Sequence, residues 1–269
     1  FCVQDRKLHE WNRPIVEGRW GRIEGHIYDY LSRCVAQLTL MRHRPGFGLT
    51  RTTGRALDYM LAGDGMLITG ETGDHECWHS NQEGTIHLGE TCATTYLIRL
   101  LDILLRETGD SFYGDLIERI TYNALFGAQS PDGRQIRYYT PIDGPRAYFK
   151  PDTYCCPNNF RRIVSELPTM VCYQSSSGIA INLYNEGDVS AHTPDGGLVQ
   201  LHVATQYPSD GEIEIRIDTS PDEEFTIELR LPRWCDAPRI TVNDSQVTGE
   251  PKSGTFFGIR RNWKHDDVI

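Results

Sequence analysis

Two periods of hydrophobicity divide the chain near residue 170. Upstream, apolar positions recur at helical spacing. Over residues 90–109 (ETCATTYLIRLLDILLRETG), Ala93, Tyr96, Leu97, Leu100, Leu101 and Leu104 share one face, the i, i+3, i+4, i+7 pattern of an amphipathic helix. Gly109 is a natural stop, because it accepts the left-handed backbone that closes a helix. Residues 112–127 repeat the pattern through Leu116, Ile117, Ile120 and Leu125, and 26–42 and 54–62 predict two earlier helices, separated by the break Pro45-Gly46-Phe47-Gly48. Downstream the period becomes two. GIAINLY (178–184), GLVQLHVATQY (197–207), EIEIRID (212–218), EFTIELRLP (224–232), PRITVND (238–244) and TFFGIRR (255–261) alternate as half-buried strands between Pro, Gly, Asp and Ser turns. Six short strands at this spacing predict an antiparallel β-sandwich. The final Asp267-Val268-Ile269 resembles the interior of one more strand. The expected class is therefore α+β and multi-domain, with helices first and sheets second, and with no internal repeat.

Length and charge narrow the partners. The 269 residues are enough for one large domain or two ordinary ones. With 27 Lys+Arg against 37 Asp+Glu and no basic tract, the surface lacks the clustered positive charge that nucleic acid or an anionic membrane requires. No apolar run approaches the length of a membrane span. Eight cysteines in a chain of this length are too few for a disulfide scaffold. Cys34, Cys172 and Cys235 sit among apolar or aromatic neighbours and are expected to be buried thiols. A reducing, cytoplasmic location suits this usage, and a homodimer is the assembly to test.

The chemistry concentrates in a few strings. Cys155-Cys156 precede Pro157-Asn158-Asn159, and Glu90-Thr91-Cys92 lies upstream in GETC. Adjacent cysteines seldom bond to each other, because the ring they would close is strained. Three sulfurs and one carboxylate suit tetrahedral zinc, and a helix starting at the pair would favour thiolate. Four separately buried residues, or a sealed structural zinc, fit the same spacing. The polar stretch 69–90 (TGETGDHECWHSNQEGTIHLGE) adds Glu71, Asp74, His75, Glu76, His79, Glu83 and His87, a density suited to general acid/base work or to a solvated loop. His26 and Tyr138-Tyr139 could line a sugar site, where rings stack and imidazoles bond hydroxyls.

Taken together the strings resemble the retaining β-L-arabinofuranosidases of glycoside hydrolase family 127. The matching residues are GH at 25–26, TGETG at 69–73 with Glu76-Cys77-Trp78, GETCA at 89–93, YNALFGAQSPDGRQIRYYTP at 122–141 and CCPNNFRR at 155–162. In the β region they are NLYNEG (182–187), TQYPSDGEIEI (205–215), LRLPRWC (229–235) and RRNW (260–263). The resemblance implies that residues 1–170 are the C-terminal part of an (α/α)6-barrel catalytic domain whose start is missing. It also implies that 171–269 are a β-sandwich incomplete at its end.

By the same resemblance, Cys155 is the nucleophile that forms a thioglycosyl-enzyme, and Glu76 is the general acid/base, with Glu71 in reserve. Glu90, Cys92, Cys155 and Cys156 hold Zn2+, and His26 and Tyr138 line the sugar subsite. The implied reaction is hydrolysis of a glycoside with retention, a thiolate replacing one carboxylate of the usual pair. A non-catalytic carbohydrate-binding or structural zinc protein on the same scaffold is the alternative. Two strings depart from the family: its GEAF reads HECW here, and its CCPPN reads CCPNN.

Overall fold

The computed structural model describes residues 26–43, 53–54, 57–58, 60–61, 65–77, 87–143, 147–148 and 154–269. Of the helix expected over 54–62, Gly54, Leu57, Asp58, Met60 and Leu61 are described and are helical, while Trp78, His79 and Glu83 lie outside these residues. Besides that partly described stretch, four α-helices precede nine strands among the described residues: α1 (Ile27–His43), α2 (Thr91–Thr108), α3 (Ser111–Ile120) and α4 (Cys155–Glu166), then β1 (Cys172–Ser175) to β9 (Thr255–Asn262). They group into two compact units, one reaching Leu104 and taking in Leu116–Ser165, the other made of Leu105–Asp115 and Glu166–Ile269.

In the helical unit the buried residues of α1 are Ile27, Tyr30, Leu31, Cys34, Gln37 and Leu38, a single stripe. Helix α2 differs from the one-faced expectation. From Thr91 to Leu101 only Tyr96 and Arg99 escape full burial. Threonines make this tolerable, because each hydroxyl finds a carbonyl: Thr91 donates to Arg137 O, Thr94 to Glu90 O and Thr95 to Cys92 O. Gly109, with φ of 66°, ends α2, and the Asp110 carboxylate accepts the Phe112 N–H at 2.9 Å to start α3. Helix α3 stops at Ile120, earlier than its periodicity suggests. It loosens into a π turn over Thr121–Leu125 and a 3-10 turn over Phe126–Ala128.

The second unit contains a four-stranded sheet of order β1-β2-β6-β9, a three-stranded sheet β3-β4-β5 and a two-stranded ribbon β7-β8. Here β2 is Gly178–Ile181, β3 Gly187–His192, β4 Leu198–Thr205, β5 Ile213–Thr219, β6 Glu224–Leu231, β7 Thr241–Val242 and β8 Ser245–Gln246. The pairing is antiparallel except between β2 and β6, which run parallel. Every residue of β2 is buried, as a central strand with a parallel neighbour requires. One core joins both sheets: Ile179 and Ile181 of β2, Val199 and Leu201 of β4, Ile215 and Ile217 of β5, Ile227 and Leu229 of β6, and Trp263. Ile269 exchanges both backbone hydrogen bonds with Ile215, but the last residues form only an isolated bridge, Val268 to Arg216, and not the strand interior expected. Strands β1, β3 and β8, which the period-two reading passed over, are short or only half-buried. The thiols divide as well. Cys34 is buried as expected, whereas Cys172 and Cys235 are only partly so, and no described cysteine forms a disulfide.

Arg230 on β6 is the charged residue at the centre of this unit. Its side chain is fully buried, its Nε donates to Asn182 O at 2.6 Å, and its Nη1 contacts Asp115 Oδ1 at 2.5 Å. A buried ion loses hydration that only its partner's charge restores. Asp115→Ala is expected to destabilise the unit by about 3–5 kcal/mol, measured as a loss of denaturant midpoint, whereas a loss below 1 kcal/mol would show that the pair is structurally idle.

Candidate functional site

Four separate pieces of the helical unit lie side by side and carry the candidate residues. Ile27 N–H bonds Glu76 O at 2.8 Å, Gly89 N–H bonds Gly73 O at 3.0 Å, and Thr91 N–H bonds Tyr138 O at 3.0 Å. Isolated bridges join His26 to Cys77, Asp74 to Leu88 and Glu90 to Tyr139. These short pairings bring His26, Glu76, Glu90 and Tyr138 together although they are far apart in sequence. Thr140 reinforces the same rung, its N–H and hydroxyl both reaching Gly89 O.

Glu76 sits on a reversal that glycine or asparagine would ordinarily occupy. Asp74 and Cys77 exchange backbone bonds, and His75 and Glu76 between them have φ of 49° and 65°, the signature of a type I′ hairpin turn. Holding two non-glycine residues there costs of order 1 kcal/mol each. In return the Glu76 carboxylate is carried into a half-open position, accepting the Tyr138 hydroxyl and lying 3.6 Å from His26 Nε2.

Cys155 and Cys156 occupy the first turn of α4, and Cys92 the start of α2. The sulfurs of Cys92 and Cys156 are 3.4 Å apart, and those of Cys155 and Cys156 3.9 Å. With a Glu90 oxygen, the four donor atoms all lie within 4.8 Å of one another. Tetrahedral zinc with sulfur at about 2.3 Å sets its sulfurs roughly 3.8 Å apart, so the spacing fits that ion. Accessibility is unequal: Cys92, Cys156 and Glu90 are buried, whereas Cys155 is exposed and lies 3.8 Å from the Tyr138 hydroxyl.

The donor set also fits a cation electrostatically. Both Glu90 carboxylate oxygens are buried and make no hydrogen bond among the described residues, the nearest imidazole nitrogen, His26 Nδ1, being 3.6 Å away. Burial, with a smaller push from Glu76, raises the Glu90 carboxyl to about 8 despite the opposing influence of Cys92. The Cys92 thiol is driven upward by its contact with Cys156 and by burial, and Cys155 by burial and Cys92. Four acidic groups, each held above its ordinary range, are what a divalent ion relieves. A second candidate trio, His26, Glu76 and Glu90, shares Glu90 with the first.

Residues 56–169 match the family model described as beta-L-arabinofuranosidase, GH127 catalytic domain, and residues 178–269 match the GH127 middle domain. The chain belongs to glycoside hydrolase family 127. It is 22% identical over 187 residues to a non-reducing end beta-L-arabinofuranosidase of Bifidobacterium longum subsp. longum, an alignment covering 63% of this chain and 28% of that protein. A GH127 beta-L-arabinofuranosidase from Geobacillus stearothermophilus T6 superposes with a TM-score of 0.82 at 25% identity, covering 95% of this chain and 43% of that one. Another structure, described as a GH127 beta-arabinofuranosidase, gives a TM-score of 0.84 at 25% identity over the same shares. The chain thus spans about a quarter of the length of the curated relative and less than half that of these structures.

Of the residues singled out in sequence, the GH127 chain gathers His26, Glu76, Glu90, Cys92, Tyr138, Cys155 and Cys156. Asp74 and His75 belong to the turn that carries Glu76, and His87 lies alongside it, its ring 4.2 Å from that of His75 and meeting Tyr139. Two neighbours carry no role in the sequence reading. Tyr28 packs edge-on between His26 and Tyr96, and its position two residues after Gly25-His26 was the available signal. Asn159, inside the CCPNN string, donates to the Cys92 sulfur at 3.2 Å.

Glu71, the reserve candidate, is fully buried, and its carboxyl occupies the space a side chain on Gly89 would need, 2.4 Å from an added Cβ. Burial raises it to about 8, partly offset by the Thr140 hydroxyl, Arg137 and Thr69. Its folded value lies above an ordinary carboxyl's 4.5, so between these pH values the folded state holds a proton that the unfolded state has lost. Stability therefore falls as pH rises from about 4.5 to about 8 and is fully reduced beyond. Glu71→Gln is expected to remove this slope and to stabilise the protein at pH 9 by a few kcal/mol (order of magnitude). Thermal unfolding of both proteins across that range checks it, and parallel pH curves would disprove it.

Proposed function

We propose that this GH127 protein is a zinc-dependent retaining glycosidase acting on β-L-arabinofuranosides. The supporting observation is the exposed Cys155 sulfur, the one accessible donor of an otherwise buried cluster, next to a hydroxyl that also holds Glu76. Two groups that touch one hydroxyl lie no more than roughly 6–7 Å apart. That is nearer the roughly 5–5.5 Å between the catalytic groups of retaining enzymes than the wider gap of inverting ones. Full burial argues against Glu71 as the acid/base. The relatives' descriptions supply the sugar, and the helical residues to 170 and the strands after it are taken as part of an (α/α)6 barrel and a β-sandwich.

In this reading Glu90, Cys92, Cys155 and Cys156 would hold Zn2+. When bound, the ion supplies the positive charge that keeps buried sulfurs ionised near neutral pH. The chain's own groups then divide the work. Cys155 Sγ attacks the anomeric carbon as the glycosidic C–O bond breaks, and Glu76 gives its proton to the departing oxygen. Glu76, now a carboxylate, takes a proton from a water molecule, whose oxygen displaces the sulfur and completes retention. Tyr138 holds Glu76 in place through its hydroxyl, and His26, within 3.6 Å of both Glu76 and Glu90, lines the sugar pocket.

The test uses the full-length protein, metal analysis and a panel of furanosides and pyranosides. Cys155→Ser is expected to reduce turnover to background with secondary structure retained, and unchanged turnover would sink the nucleophile assignment. Glu76→Gln is expected to slow substrates with poor leaving groups by about 10²–10⁴-fold and activated aryl glycosides far less. Equal slowing of both would remove Glu76 as the acid. Stoichiometric zinc without hydrolysis of any panel member would favour the structural alternative.

A further inference from the structure

Asn159 stands on α4 one turn beyond the cysteine pair, at i+4 from Cys155 and i+3 from Cys156, so it shares their face. It is 3% exposed, and its Nδ2 donates to Cys92 Sγ at 3.2 Å, reaching from α4 to the start of α2. Its Oδ1 faces Arg162 Nη1 at 3.5 Å. That second contact fixes the amide's orientation, since the flipped rotamer would aim a carbonyl at the sulfur and an N–H at a guanidinium.

A neutral thiol is a weak acceptor, and a thiolate is a strong one. A buried, oriented donor aimed at Cys92 is therefore complementary to the ionised sulfur. The need is quantitative as well as geometric. Three thiolates and a carboxylate outweigh a divalent cation by two charges, and at a buried site that excess must be spread into neighbouring N–H groups. Cys92 is 0% exposed and cannot draw on water. Cys155, exposed, can.

We propose that Asn159 is a positioning residue of the metal site, and that its amide hydrogen bond makes Cys92 the fixed, electronically quietened ligand. This rests on the metal-bearing reading given above. Cys92 keeps its place because part of its charge is held by the amide. Cys155 lacks that amide and retains the electron density needed for attack. The neighbouring Asn158, exposed and turned towards Arg161, takes no part.

The test replaces zinc by cobalt in the full-length protein and reads the sulfur-to-cobalt charge-transfer band, with zinc affinity measured by chelator competition. Asn159→Leu keeps the shape and removes the donor, while Asn159→Asp keeps the shape and replaces the donor with an acceptor. Both are expected to weaken zinc binding by about 10–100-fold and to move the band to longer wavelength, while Asn158→Ala matches the unsubstituted protein. Circular dichroism confirms folding, and if the leucine variant does not fold, the aspartate variant carries the comparison. A folded variant with unchanged affinity and an unchanged band overturns the role of Asn159. If the unsubstituted protein binds neither ion stoichiometrically, the metal reading itself falls, and this inference falls with it.

Discussion

Three sulfurs and a carboxylate within 4.8 Å of one another cannot all carry their charge unless something positive lies between them. Much of the helical unit's local structure serves that one electrostatic constraint. Helix α2 is buried nearly all round at its start, which shields Cys92 from water and raises the cost of ionising it alone. The threonines there turn their hydroxyls to backbone carbonyls, so none of them donates to the Glu90 carboxylate. The result is a cluster in which a divalent cation, where one binds, would compete with protons for the same atoms.

Much of this was legible in the chain. Helix α2 was visible because leucines repeat over three turns, and β4, β5 and β6 because their alternation runs for seven or eight residues. The cysteine pair and GETC announced their chemistry through residue types that rarely meet by chance. What escaped was set by tertiary partners. The burial of Thr91, Thr94 and Thr95 depends on carbonyls that no period records. The parallel pairing of β2 with β6 depends on which strand fills the middle of the sheet. The turn at His75 and Glu76 contradicts local preference, so a reading based on preference passes over it.

Burial also orders the carboxylates in a way that spacing could not. Glu71 and Glu76 stand five residues apart in one polar string, and either suited proton transfer. One lies sealed beneath Gly89 and the other is carried outward by a left-handed turn. A few backbone angles thus separate a group held neutral by its surroundings from one open to solvent.

The Leu105–Asp115 segment, the closing end of α2 and the opening of α3, is counted with the strands and not with the helices that precede it. The two units therefore interleave along the chain, and no single cut yields both intact. A fragment beginning near residue 170 would contain every described strand and still lack the carboxylate that neutralises Arg230. For dissection or domain grafting, the β unit must be taken with its borrowed helical corner.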